Sequence, residues 1–255
     1  MQTLRDAALF AALLTIVGTV SARAGIMQVP YEVRFDATWS AATHPGAYPG
    51  GAHFSPLVGT THNDNVRFWE PGGIATPGIE RMAETGSTFT LRNEFLAEGN
   101  DVDTQILGST IGSPSSTTLA FDVDASHPLV TLVTMIAPSP DWFVGVHDLN
   151  LRHGNLWRHF VQVDLFAYDS GTDSGPNFTS QNADVAPHVP ITLISGAPFD
   201  GRPRLGTFTF RLVPEPSTIG GVVGAAAFCR FGRRGARSAD RAGAGRSQWS
   251  NSPNK

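Results

Sequence analysis

From Tyr31 to Trp39 the chain alternates: Tyr31, Val33, Phe35, Ala37 and Trp39 are separated by mostly polar neighbours. A period of two is that of a strand with one buried face. Further runs rich in Val, Phe, Thr and Trp occupy residues 117–123, 129–136, 142–146, 157–166 and 205–213, with clusters of Pro, Gly, Ser and Asp between them. Short helical turns are predicted at 77–85 and 91–97, and no amphipathic pattern is long enough for a helical domain. The stretch between Trp39 and Trp69 reads as loop. Many short strands joined by polar loops predict an all-β antiparallel sandwich.

Both ends break this pattern. Residues 1–24 hold a weakly charged start with Arg5, an apolar run from Ala7 to Val20, and the small-x-small site Ala22-Arg23-Ala24. That order predicts a secretory signal peptide, because a membrane anchor needs ~20 uninterrupted apolar residues. At the other end, Val213-Pro214-Glu215-Pro216-Ser217-Thr218 leads into an apolar run from Ile219 to Phe228 and then Arg230, Arg233, Arg234 and Arg237. Between the two lies a body, 25–213, of a length that suits one domain.

Charge separates body from tail. The body carries 19 acids against 9 arginines and no lysine, a net charge near −10, whereas the stretch after it has 2 acids and 7 bases. Such a surface repels phosphate backbones, which argues against nucleic acid and for a divalent cation. The single cysteine, Cys229, lies in the tail, so the body has neither disulfide nor thiolate metal site.

Two stretches carry the chemistry. PSPDWFVGV sets Asp141 at the end of a Pro-broken loop before an apolar run, and VDLFAYDSGTDSG brings Asp169 and Asp173 into a Gly/Ser loop. Loops from neighbouring strand ends can present three carboxylates to one point, with backbone carbonyls as additional ligands. An irregular oxygen cage suits calcium, which takes 6 to 8 oxygens in loose geometry, better than magnesium. The same aspartates can equally serve solvated turns. His44, His53 and His62 are spaced nine apart, which brings no imidazoles together for zinc, so each is expected to hydrogen-bond within its loop. Asp122 and Asp124, two apart on a strand, are expected on a solvated face. Asp173-Ser174-Gly175 lacks the apolar lead and second copy of an aspartic protease, and an EF-hand begun at Asp169 would meet Ser180 where a glutamate is needed. There is no G-x-S-x-G, H-E-x-x-H or phosphate-binding loop.

Five ordered blocks carry a family resemblance: YEVRFDATWSAATHP, AHFSPLVGTTHN, VRFWEPGGIATPGIERMAETG, HPLVTLVTMIAPSPDWFVGV, and VDLFAYDSGTDSG with NFTS after it. Over nearly the whole body the chain resembles the spondin domain, the N-terminal module of F-spondin and mindin. The resemblance implies an eight-stranded, C2-like antiparallel sandwich with Ca2+ held by loops at one end, its aspartates falling on Asp141, Asp169 and Asp173. It also implies a non-catalytic extracellular matrix and adhesion role, with integrins and bacterial glycolipid among the partners of animal members. The sequence departs in lacking the cysteines usual in animal members and in showing no thrombospondin-type repeats after the domain, which puts integrin binding in doubt.

The C-terminal segment 214–237 resembles a PEP-CTERM sorting signal, read by exosortase-type proteases of exopolysaccharide-making Gram-negative bacteria, with a disordered basic tail at 238–255. Its apolar run is shorter than a full span, so membrane contact is expected to be transient. Taken together, the expectation is a secreted or envelope-sorted calcium-binding adhesion module. Its partners would be an extracellular polysaccharide, a glycolipid or a surface protein. The alternative is a secreted metal-dependent polysaccharide hydrolase, for which the sequence offers no convincing acid and base pair.

Overall fold

A computed structural model describes residues 27–199 and 201–214. The export segment 1–24, the sorting segment beyond Pro214 and the basic tail 238–255 lie outside the described residues. Strands β1 (Val29–Ala37), β2 (His53–Phe54) and β3 (Val58–His62) come first, followed by helices α1 (Pro77–Thr85) and α2 (Phe89–Ala97). Then come β4 (Val102–Leu107), β5 (Ile111–Gly112), β6 (Ser115–Val123), β7 (Leu129–Ala137) and β8 (Trp142–Asn150). The remainder comprises β9 (Arg152–His153), β10 (Leu156–Trp157), β11 (Phe160–Leu165), β12 (Tyr168–Asp169), β13 (Thr192–Leu193) and β14 (Gly206–Leu212).

Eight of these strands have five residues or more, and they divide four and four. One sheet runs β11-β14-β1-β6, entirely antiparallel. In the other, β8, β7, β3 and β4 follow in order, with β12 and β13 extending the β8 side and β2 continuing the row of β3 along β7. This is the all-β sandwich that the sequence predicts. β1 lies between β14 and β6, with Tyr31 opposite Leu212 and Val29 opposite Val123.

The two sheets differ in what covers them. The alternating residues of β1 turn Tyr31, Val33, Phe35 and Ala37 into the main core, where they meet Phe208 and Phe210 of β14 and Val130, Leu132 and Ile136 of β7. The intervening residues of β1 are exposed or half-buried, which is why its period of two is so clean. β7 is buried on both faces after Leu129, because Val133, Met135 and Ala137 pack outward under α1 and α2 against Ile79, Met82, Leu91 and Phe95. Helix α1 starts where Thr76 accepts the Ile79 N–H at 3.2 Å, with Pro77 at its first position. It stops at Gly86, whose φ of 69° permits the left-handed cap that donates to the Met82 carbonyl.

The expected loop between Trp39 and Trp69 contains a central strand instead. β3 pairs with β7 on one side and β4 on the other, and all five of its residues are buried. Its polar side chains have partners: Thr60 donates to the Thr104 carbonyl and Thr61 accepts from the Thr104 N–H. The expected run 157–166 is broken at Arg158 and His159, leaving β10 and β11 as separate strands.

Candidate metal centre

Asp141 stands at the mouth of β8. The Pro138-Ser139-Pro140 segment turns the chain there, and Ser139 Oγ accepts the Trp142 N–H at 3.1 Å. β12 pairs Tyr168 with Phe143 and Asp169 with Trp142, so the loop that follows β12 folds across Asp141. Asp141 Oδ2 accepts from Ser170 Oγ at 2.9 Å, Thr172 N at 2.9 Å and Asp173 N at 3.1 Å. Gly171 lets the loop make this wrap: its φ is 76°, and a Cβ there would strike the Val189 carbonyl oxygen.

The other two aspartates are tied into the same loop. Asp169 Oδ1 accepts the Gly171 N–H at 2.8 Å, while Asp173 accepts Gly175 N at 2.6 Å and Ala183 N at 2.8 Å. Asp141 and Asp173 are both buried, and Asp141 Oδ1 has no hydrogen-bond partner. A buried carboxylate oxygen without a donor is costly unless something else neutralises it.

A fourth carboxylate joins them from α1. Burial raises the Glu84 carboxyl above its ordinary range; a hydrogen bond with Thr172 opposes this, while the charges of Glu80, Asp141 and Asp173 add to it. Asp169 is pushed up to about 6, first by burial and then by the charge of Asp141, with Asp173 contributing less. Every charged neighbour acting on these two groups is another carboxylate. Sequence reasoning missed Glu84, because nothing in its spacing links a residue in the last turn of a helix to aspartates on strand ends 57 and more positions later.

The donor set is therefore all oxygen, anionic and irregular, and Asp141 Oδ1 is left over. An oxygen donor set of this kind is what a calcium-type ion takes. Asp141, Asp169 and Asp173, with Glu84 beside them, would hold it and be neutralised by it.

Among the described residues, two other groups bring the polar atoms of three acidic or histidine side chains all within 4.8 Å of one another; Asp141, Asp169 and Asp173 do not close to that distance. Glu80, Asp184 and His188 lie at the same end, where Asp184 sits opposite Asp173 in an antiparallel bridge. Asp103, Asp124 and His127 lie at the opposite end of β7. Asp122 is exposed as expected, but Asp124 is buried in the β6–β7 turn, where it accepts backbone N–H groups of Ser126 and His127. The three equally spaced histidines have separate local partners. His44 Nδ1 meets Thr43 Oγ1 at 2.7 Å and His53 Nδ1 meets the Gly51 carbonyl at 2.8 Å. His62 is not in a loop: it is buried on β3 with Nε2 2.9 Å from Thr131 Oγ1, and burial lowers its pKa.

The family model Spondin_N matches residues 29–203, from β1 to the loop before β14. The chain belongs to the Spondin_N family. Among Spondin_N relatives, Spondin-2 of Homo sapiens is 34% identical over 176 residues, covering 66% of this chain and 53% of that protein. Spondin-1 of Rattus norvegicus is 34% identical over 171 residues, covering 63% of this chain and 21% of its own length. The chain thus spans about half of Spondin-2 and about a fifth of Spondin-1. The Spondin_N match stops at residue 203, yet β14 beyond it pairs with both β1 and β11 and completes the first sheet. Among the described residues no helix is long and apolar enough to cross a membrane.

Proposed function

We propose that this chain is an exported, non-catalytic, calcium-binding adhesion or matrix module whose loops around Asp141 form its binding end. The observation that carries this reading is the buried, partnerless Oδ1 of Asp141 amid the carboxylates of Asp169, Asp173 and Glu84. One divalent ion would offset the repulsion among these carboxylates, where the charges acting on Glu84 and Asp169 are other carboxylates, and would lock the β7–β8 and β12–β13 connections into one surface. Membership of the Spondin_N family supports an extracellular setting, where calcium is plentiful enough to fill a modest site. The signal segment and the PEP-CTERM-like tail support delivery to a bacterial envelope or exopolysaccharide matrix. In that setting the ligand is an extracellular polysaccharide, a glycolipid or a surface protein, and the tail is the substrate of an exosortase-type protease.

Thermal unfolding of the full chain in calcium and in chelator tests the site. Calcium at 100 times its Kd is expected to stabilise the fold by about 2.7 kcal/mol, and the gain should vanish in an Asp169→Ala, Asp173→Ala variant. A melting temperature indifferent to calcium would sink the assignment. Incubation with defined glycans tests the absence of catalysis, since turnover would favour a hydrolase instead.

A further inference from the structure

At the end of the sandwich opposite Asp141, one histidine is held by acceptors on both sides of its ring. His127 Nδ1 is 3.1 Å from Asp124 Oδ1, and its Nε2 is 2.9 Å from the backbone carbonyl oxygen of Asn100. A backbone carbonyl only accepts, and an ionised carboxylate only accepts. A neutral imidazole carries one N–H, so it can satisfy one of these two oxygens and must set a lone pair against the other. Only the imidazolium donates to both. Asp124 is almost fully buried, and its Oδ1 already takes the N–H groups of Ser126 at 2.7 Å and His127 at 2.9 Å.

We propose that His127 is a proton-operated latch that, when charged, fastens the β6–β7 turn to the segment joining α2 to β4. Asn100 lies in the short 3-10 turn Gly99–Asp101 of that segment, so the contact spans 27 residues and joins two connections that share no strand.

The charges around the ring favour the closed form. Asp124 belongs to its own turn, Asp103 comes from β4 and Asp101 from the 3-10 turn, while the buried His62 of β3 and Arg152 of β9, which reaches the Ala125 carbonyl, are the basic groups nearby. Burial pulls the His127 pKa down, but the Asn100 carbonyl, the Asp124 hydrogen bond and charge, and the Asp103 charge outweigh it, and the net shift is upward. The group is raised in the folded state. Its stabilisation is therefore complete below the unfolded value of about 6.5 and is lost as pH rises through the folded value. The close approach of Asp103, Asp124 and His127 is explained by this proton. Asp103 Oδ2 is likewise occupied, by Gln28 Nε2 at 3.1 Å and Thr104 Oγ1 at 3.2 Å.

The test is a histidine-ring NMR titration of the full chain in chelator, with His127 assigned through its backbone. Melting temperatures of the wild type and His127→Gln are followed over pH 5.5 to 9, and the two lines of data do not depend on each other. The latch requires a His127 midpoint above 6.5, lowered by Asp124→Asn, and a wild-type advantage over His127→Gln that shrinks as pH rises. A midpoint at or below 6.5, or an advantage that is constant with pH, overturns it. So does a zinc-induced rise in melting temperature at pH 7.5 that His127→Gln abolishes, because the cluster would then be a metal site. If His127→Gln fails to fold, the wild-type midpoint and its response to Asp124→Asn still decide.

Discussion

The two ends of β7 each gather carboxylates around a buried one, and they treat it in different ways. At the β6–β7 turn, Asp124 is satisfied from within: backbone N–H groups and an imidazole surround one oxygen, and the neighbouring Asp103 is bonded by side chains. At the β7–β8 end, one oxygen of Asp141 takes the donors while the other is buried with none, and its charged neighbours Asp169, Asp173 and Glu84 are acids. The first arrangement is complete with a proton. The second leaves a buried oxygen of Asp141 unanswered. A cluster of acids in a structure is thus informative less through its size than through the count of oxygens that the protein itself has not answered.

That contrast can be attacked from either end. The largest effect is expected for Asp141→Ala, which strips four buried donors of their acceptor; loss of roughly 3–5 kcal/mol is expected in denaturant unfolding, together with loss of the calcium response. Asp169 offers a subtler probe of the metal-free protein. Its folded pKa of about 6 exceeds the ordinary 3.8, so the folded state holds an extra proton between those values. Stability relative to Asp169→Asn should therefore fall, by on the order of 2–3 kcal/mol, as pH rises from 4 to 7. Calcium should restore what is lost at pH 7 at this end and leave the His127 end untouched. The smallest effect belongs to Asp103→Asn, an exposed change expected to stay within about 0.5 kcal/mol. It should shift the His127 midpoint slightly down and leave calcium-dependent melting as in the wild type.

Much of this was legible in the chain. β1 announces itself because only one of its faces is buried, and α1 because Thr76, Pro77 and Gly86 mark its boundaries. β3 was hidden for a physical reason. Gly59, Thr60, Thr61 and His62 are buried on a central strand, but their polarity reads as loop, and what makes them tolerable is hydrogen bonds to Thr104 and Thr131, far along the chain. The aspartates of the Asp141 end were visible because proline and glycine turns frame them. Glu84 was not, since its membership depends on how α1 lies over β7 and β8. The orphan oxygen of Asp141 and the double engagement of His127 are facts of three-dimensional placement that no spacing encodes.

The pairing of β1 with β14 has a mechanical consequence. Tyr31 lies opposite Leu212, and Val29 opposite Val123 just before Asp124. The polypeptide therefore enters and leaves the sandwich side by side, at the His127 end. The Asp141 loops lie at the other end of the strands from both of these described flanks. Tension applied between the two flanks would open β1 from β14 like a zip, one rung at a time, and the carboxylate end would be the last to feel the load.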